Sequence, residues 1–278
     1  MRFGIKTSPQ ETTYDAMRAV WQAADEIELF ESAWNFDHFY PIFSDSTGPC
    51  MEGWVTLTAL AEATSRLRIG CLVTGAVYRH PAVLANMAAT LDIVSGGRLD
   101  LGIGAGWNQE ECAAYGIELG TLTERFDRLD ESLEVIDSLL RNEWTDFNGK
   151  YFTMTRARCE PKGIQGPRPP ITIGGAGRKR TLRAVARWAD HWNHPGGAPS
   201  DIAAAKAVLH DHCATIGRDP AEILTSTHVR FNAAEGAGAL AETCRSLEGI
   251  VDVAIVYLPP PHSPDLLGPI VEALAPLG

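Results

Sequence analysis

Apolar positions along the chain switch repeatedly between two periods, short continuous or alternating runs and segments with apolar residues three and four apart. Residues 2–7 read as a strand. Residues 14–27 read as a helix in which Ala16, Val20, Ala23, Ala24 and Ile27 share one face. The unit recurs with strand 32–36 and helix 52–64, strand 67–74 and helix 82–94 opened by Pro81 at its first position, then strand 98–103 after the turn Ser95-Gly96-Gly97. A short helix over 109–115 and a long one over 122–140 follow. Residues 144–154 break the rhythm. Asn148-Gly149 between two aromatic-rich flanks predicts a β-hairpin with a type I′ turn. After Pro169-Pro170 the alternation resumes with strand 171–173, helix 178–188, strand 190–193, helix 199–216, strands 224–231 and 250–258, and helical segments 238–247 and 265–274.

Eight strands alternating with helices in 278 residues match the size of a (β/α)8 TIM barrel, whereas a doubly wound sheet usually has fewer strands and a switch point. The expected architecture is therefore α/β, one barrel domain over 1–278 carrying a small hairpin insertion at about 142–170. The hydrophobic content of 45% supports a core of that size. A net charge of −11 argues against nucleic-acid or anionic-membrane surfaces and for a small-molecule partner. No apolar run reaches the roughly 18–20 residues of a membrane span, and the first residues read as a strand, not as a signal peptide. Cysteines 50, 71, 112, 159, 213 and 244 include no C-x-x-C pair, so they are expected to be reduced and mostly buried in a cytoplasmic protein.

Candidate chemistry lies where strands end, because that face of a barrel carries the active site. The run Ile171-Thr172-Ile173-Gly174-Gly175-Ala176-Gly177-Arg178-Lys179-Arg180-Thr181 joins a strand, a glycine-rich turn and a basic helix start. Cations at a helix N-terminus oppose its macrodipole, so an anion bound by the glycine N–H groups and the open first turn would account for them. Three solvated surface cations beside an ordinary loop are the other reading. The second strand ends Trp34-Asn35-Phe36-Asp37-His38-Phe39, setting a carboxylate and an imidazole side by side at the mouth. His38 is the candidate acid or base; the alternative is a capping Asp37 and a packed His38.

The fourth strand runs into Gly102-Ile103-Gly104-Ala105-Gly106-Trp107-Asn108, whose G-x-G-x-G spacing and position differ from a dinucleotide fingerprint. Its glycines would let a flat ring or a ribityl chain lie against the backbone. Asn108, Glu110 and Glu111 are open between capping the helix and touching a ligand. The third junction, Gly70-Cys71-Leu72-Val73-Thr74-Gly75, leads through Tyr78-Arg79-His80-Pro81, where His80 caps or lines the loop. His210-Asp211-His212-Cys213 has metal-ligand types, but adjacent residues on a helix point apart and no second ligand pair accompanies them, so no metal is expected.

Taken in order, Trp34 to Phe39, Tyr78-Arg79-His80-Pro81-Ala82-Val83-Leu84-Ala85, Ser95-Gly96-Gly97-Arg98-Leu99-Asp100-Leu101 with the glycines through Trp107, and Ile171 to Gly177 make the chain resemble the bacterial luciferase-like oxidoreductases. The resemblance is closest to the branch using the 8-hydroxy-5-deazaflavin coenzyme F420. Glu28-Leu29-Phe30-Glu31 departs from the usual Leu-Gly-Phe-Asp before the second strand. The resemblance implies a coenzyme ring across the strand ends, contacted by Asp37, Cys71, Leu72, Thr74, Gly104, Ala105 and Gly106. It implies a phosphate on Gly174, Gly175, Ala176 and Gly177, a tail served by Arg178, Lys179 and Arg180, and a non-prolyl cis peptide between Cys71 and Leu72. It also implies a homodimer.

The chemistry expected from this resemblance is hydride transfer between the deazaflavin and a small organic substrate, with His38 and Asp37 as catalytic residues. The alternative is an FMN-dependent monooxygenase using reduced flavin and oxygen. A metal-dependent barrel hydrolase lacks its usual pair of first-strand histidines, since that strand reads Phe3-Gly4-Ile5-Lys6-Thr7. A coenzyme-binding protein without catalysis would tolerate loss of His38. The loops after strands one, two and seven and the hairpin are expected to shape the substrate pocket.

Overall fold

A computed structural model describes all 278 residues. Its strands are β1 (Arg2–Thr7), β2 (Phe30–Asn35), β3 (Arg68–Cys71), β4 (Thr74–Gly75), β5 (Leu101–Gly104), β6 (Thr145–Asn148), β7 (Thr153–Ala157), β8 (Ile171–Gly174), β9 (His191–His194), β10 (Leu224–Arg230) and β11 (Val253–Leu258). Its helices are α1 (Tyr14–Asp25), α2 (Gly53–Glu62), α3 (Pro81–Val94), α4 (Gln109–Ala114), α5 (Leu122–Arg141), α6 (Thr181–Trp188), α7 (Pro199–Ile216), α8 (Gly236–Ser246) and α9 (Leu267–Leu274).

The main sheet runs β3-β2-β1-β11-β10-β9-β8-β5-β4, with every neighbouring pair parallel. β3 and β4 are two halves of one barrel strand, the first paired with β2 and the second with β5, so the sheet closes as the predicted eight-stranded barrel. A bridge between Ile69 and Leu99 completes the seam. Buried strand residues such as Ile5, Ala33, Ile69, Ile103, Ile173 and Trp192 meet helix residues such as Trp21, Leu57, Leu84 and Leu133 in the surrounding core. Fully burying a side chain of this size stabilises by about 1.5–3 kcal/mol relative to leaving it exposed.

Local signals explain several element ends. Thr13 caps α1 by accepting from Ala16 N–H at 3.2 Å, and Thr121 with Glu124 forms a capping box on α5. His80 caps α3, its Nδ1 accepting from Ala82 N–H at 3.2 Å ahead of Pro81. All six cysteines are unpaired, and no helix is long and apolar enough to cross a membrane.

The structure corrects three local expectations. β6 and β7 do form a hairpin, but Asn148 pairs with Thr153, so its loop is Gly149 to Phe152 and not a two-residue Asn-Gly turn. Glu131 of α5 decides this by accepting from the N–H groups of Lys150, Tyr151 and Phe152 at 2.7, 2.9 and 3.1 Å. Helix α6 begins at Thr181 instead of residue 178, leaving Arg178 and Lys179 in the turn before it. The non-prolyl cis peptide joins Leu72 to Val73, one bond later than expected.

Candidate active site

A cavity of about 650 Å³ opens at the C-terminal ends of the barrel strands. Its size is that of a small-molecule or coenzyme site. Gly75, Gly106, Gly174, Gly175, Gly196 and Gly197 all line it, so much of one wall is bare backbone. Gly106 and Gly175 have φ of 81° and 123°, which side-chain-bearing residues rarely adopt. Phe36, Ile42, Phe43, Leu72, Val73 and Tyr257 supply the apolar surface.

His38 lines this cavity and is 7% exposed. Its Nδ1 lies 2.7 Å from Glu111 Oε2, and Glu111 also accepts from the Tyr78 hydroxyl and the Phe39 N–H, each at 2.6 Å. Burial alone would push the fully buried Glu111 carboxyl up, but the hydrogen bonds from His38, Tyr78 and Phe39 outweigh it and hold the group below its ordinary range. Tyr78 is pushed well above the ordinary phenol range by burial and by its bond to Glu111, so it stays a donor. An ionised Glu111 can only accept, which makes His38 Nδ1 the donor and leaves Nε2 without a protein partner on a residue that lines the cavity. A neutral ring there takes a proton; a protonated one gives it.

Asp37, expected beside the coenzyme, is fully buried and turned away from the cavity. Arg79 holds it through contacts of 2.5 and 3.1 Å and also binds Glu52. A buried carboxylate needs such a partner, and the contact ties the loop that carries His38 to the segment before α3. Cys71 is turned inward as well, its Sγ 2.9 Å from Asn35 Oδ1, while the Thr74 hydroxyl accepts from Trp54 Nε1 at 2.7 Å. Neither lines the cavity, whereas Leu72 and Val73 do.

Gly104 does not line the cavity. A Cβ there would lie 2.9 Å from Val73 Cγ2, and one at Gly174 would lie 3.0 Å from Val73 Cγ1, so both glycines make room for Val73. Gly174 nonetheless borders the cavity with Gly175, and Gly106 borders it while Ala105 does not. Ala176, Gly177 and Arg178 continue outward from that wall. Gly177 abuts the helix start, since a Cβ on it would come 2.6 Å from Thr181 Oγ1. Arg178 and Lys179 are exposed and make no ion pair, but Arg180 is committed to Asp127 and Asp130 at 2.7 and 2.9 Å.

The loop after β2 shapes the cavity through Phe36, His38, Ile42 and Phe43, as expected. The hairpin and the loop after β1 contribute nothing to its walls. Residues 142–170 pack on α5 and the far barrel end, where Lys162 Nζ donates to the carbonyls of Leu139, Asn142 and Cys159 and Gln165 binds Asp92 and Leu99. His212 of α7 bonds the Arg178 carbonyl at 2.8 Å, and no group of three His, Cys, Asp or Glu side chains is arranged for a metal.

Lys6, Tyr78, Asn193, His228 and Arg230 also line the cavity and were not singled out by sequence reasoning. Lys6 did carry a signal, a cation following the apolar run Phe3-Gly4-Ile5 inside a buried parallel strand. Glu111 carried only the ambiguity of a helix first turn.

The family model for luciferase-like monooxygenases matches residues 1–254. The chain belongs to this family. Among curated relatives, the F420-dependent hydroxymycolic acid dehydrogenase of Mycobacterium tuberculosis is 33% identical over 220 residues, 78% of this chain and 59% of that protein. An F420-dependent glucose-6-phosphate dehydrogenase of Microbacterium testaceum is 30% identical over 235 residues, 84% of this chain and 68% of the relative. Matches to the first curated relatives span 58–59% of their length. An F420-dependent secondary alcohol dehydrogenase, solved with an F420-acetone adduct, superposes with a TM-score of 0.85 at 18% identity over 98% of both chains. The F420-dependent tetrahydromethanopterin reductase of Methanopyrus kandleri gives 0.79 at 19% identity over 98% of this chain and 96% of that one. At those identities the structures establish the shared luciferase-like barrel.

Proposed function

We propose that this luciferase-like protein is an F420-dependent oxidoreductase that transfers hydride between the coenzyme and a small organic substrate. The observation that carries the reading is the Glu111-anchored His38 beside a glycine-walled cavity. F420 is preferred to FMN because the named dehydrogenase relatives use it. The residues present fit such a coenzyme: backbone glycines leave space for a flat ring, and exposed Arg178 and Lys179 lie along the chain from Gly174 and Gly175 for an anionic tail.

When bound, the deazaflavin supplies a two-electron hydride acceptor or donor. In the oxidative direction His38 Nε2 accepts the proton that leaves the substrate, and in the reductive direction it returns one. Glu111 stabilises the imidazolium during that transfer, while Tyr78 and the Phe39 N–H keep the carboxylate oriented. Leu72 and Val73 form an apolar wall that excludes water.

The protein is further proposed to act in the cytoplasm, consistent with six unpaired cysteines, and as a homodimer. Val55 and Val83, on neighbouring helices α2 and α3, are 72% and 54% exposed beside Trp54, Met87 and Leu91. Such a face calls for a covering partner. Sedimentation velocity at micromolar concentration is expected to show a dimer; a single monomer boundary removes this part of the reading.

Fluorescence titration with F420 and, separately, with FMN tests the central proposal. F420 is expected to bind at least tenfold more tightly. Preference for FMN would replace hydride transfer with the monooxygenase reading, and binding of neither would overturn both.

A further inference from the structure

The cavity contains cations but no anion. Lys6 and Arg230 line it, yet none of its lining residues is Asp or Glu, in a chain whose net charge is −11. Lys6 is buried, donates to the Leu72 carbonyl at 2.8 Å and has no carboxylate partner. Its Nζ lies 5.9 Å from both the Phe36 and Tyr257 rings. Arg230 extends over Phe43 and Tyr257, 4.6 and 5.5 Å from their centroids, and also makes no ion pair. Tyr257 pairs with both Lys6 and Arg230 in the sheet, and His228, two residues before Arg230 on β10, also lines the cavity with a buried Nε2 that has no hydrogen-bond partner. An ammonium has three donors and a guanidinium five, so most of this donor capacity is unused by the protein.

A buried charge without a counter-charge is unfavourable. Burial pushes Lys6 down to about 7, with Arg230 adding to the effect against the opposing influence of Cys71. An anionic occupant would relieve this imbalance and take up the free donors.

We infer that Lys6, His228 and Arg230 form an anion subsite for the substrate, which is therefore an organic anion with a single oxyanion group, such as a carboxylate, on an apolar body. Lys6 and Arg230 hold the charge, and His228 supplies a further polar contact. Phe36, Phe43 and Tyr257 hold the apolar body. Phe36 stands between this subsite and the proton-transfer residue, 5.0 Å from the His38 ring centroid and 5.9 Å from Lys6 Nζ. One substrate could thus be anchored at one end while its reacting carbon faces His38.

Topology separates the subsite from the place proposed for the coenzyme tail. Lys6 is on β1 and His228 and Arg230 are on β10, whereas the glycine cradle follows β8; β1 and β8 stand opposite one another in the closed sheet. The inference relies on the oxidoreductase reading only for calling the occupant a substrate.

The test uses whole protein, with and without saturating F420, titrated with benzoate, benzyl alcohol and inorganic phosphate and followed by calorimetry. Benzoate is expected to bind at least tenfold more tightly than either other probe. Arg230→Gln, a change at an exposed residue, is expected to weaken benzoate at least tenfold while leaving F420 affinity within twofold; Lys6→Met should do the same. Equal binding of benzoate and benzyl alcohol would overturn the inference, as would tighter binding of phosphate. A loss of F420 affinity in Arg230→Gln with benzoate unaffected would reassign the cations to the coenzyme and overturn it too. If the wild type binds benzoate selectively but not F420, the anion subsite stands and the coenzyme reading fails.

Discussion

The two ends of the barrel treat charge in opposite ways. At the N-terminal end, a cavity of about 270 Å³ is lined by Arg2, Glu31, Arg68, Asp100, Asp190 and His191 among others. Its charged groups are matched: Arg68 grips Asp100 through contacts of 2.9 and 2.6 Å, Arg168 bridges Asp137 and Asp190, and Arg2 faces Glu31 at 3.5 Å. His191 is held between Ser226 and Thr172 at 2.6 and 3.2 Å. At the C-terminal mouth, Lys6 and Arg230 lack carboxylates, His228 has an unpartnered nitrogen, and His38 keeps one nitrogen free. Both ends are polar, so polarity alone does not mark a site. What differs is that the mouth gathers unmatched donors around one cavity, where a ligand can take them up.

The contrast is most sharply broken at His38. His38→Asn is expected to lower kcat in F420-linked turnover by about 10²–10⁴-fold, the usual contribution of a general acid or base, with F420 affinity within about twofold. Stopped-flow turnover beside a binding titration checks it, and undiminished turnover would remove His38 from the chemistry. At the opposite end, Asp100→Ala should leave coenzyme binding intact and reduce stability by about 2–3 kcal/mol. That is less than the ~3–5 kcal/mol of a fully buried pair because Arg68 remains partly exposed. Chemical denaturation measures the loss; a change in F420 affinity with no change in stability would reverse the assignment of the two ends.

A smaller effect comes from pH. Burial, with minor help from Arg2 and Arg68, lowers His191 to about 3. Between roughly pH 6.5 and 3 the unfolded chain binds a proton at this position that the folded protein does not, so stability falls as pH falls through that window. The loss approaches about 1.4 kcal/mol per pH unit once well below 6.5. His191→Phe should flatten that part of the stability–pH curve, measured by urea unfolding between pH 7 and 5. An unchanged slope would mean that His191 does not contribute to it.

Much of the outcome was legible in local pattern. Residue periodicity is set by the geometry of the element itself, which is why Pro199–Ile216 matches its expected helix and the eight-strand count matches the closed barrel. The proposed anion cradle was readable as an order of residues, strand then glycines then cations, although the third cation is neutralised by Asp127 and Asp130 from α5. Asp37 and His38 illustrate the limit. They are adjacent in sequence and both were expected at the site, but one points to Arg79 and the other to Glu111.

The sequence by itself therefore determined the barrel, the strand-end clustering of candidate chemistry, the glycine-rich wall and the family resemblance. Each follows from spacing over a few residues or from the repetition of such units. Only the tertiary structure decided which candidates face the cavity, that Glu111 and Tyr78 support His38, that Val73 explains Gly104, and that Lys6 and Arg230 line one cavity with no carboxylate in its wall. Those outcomes depend on residues brought together from different strands, and the direction and unmet bonding capacity of a side chain exist only once its neighbours are in place.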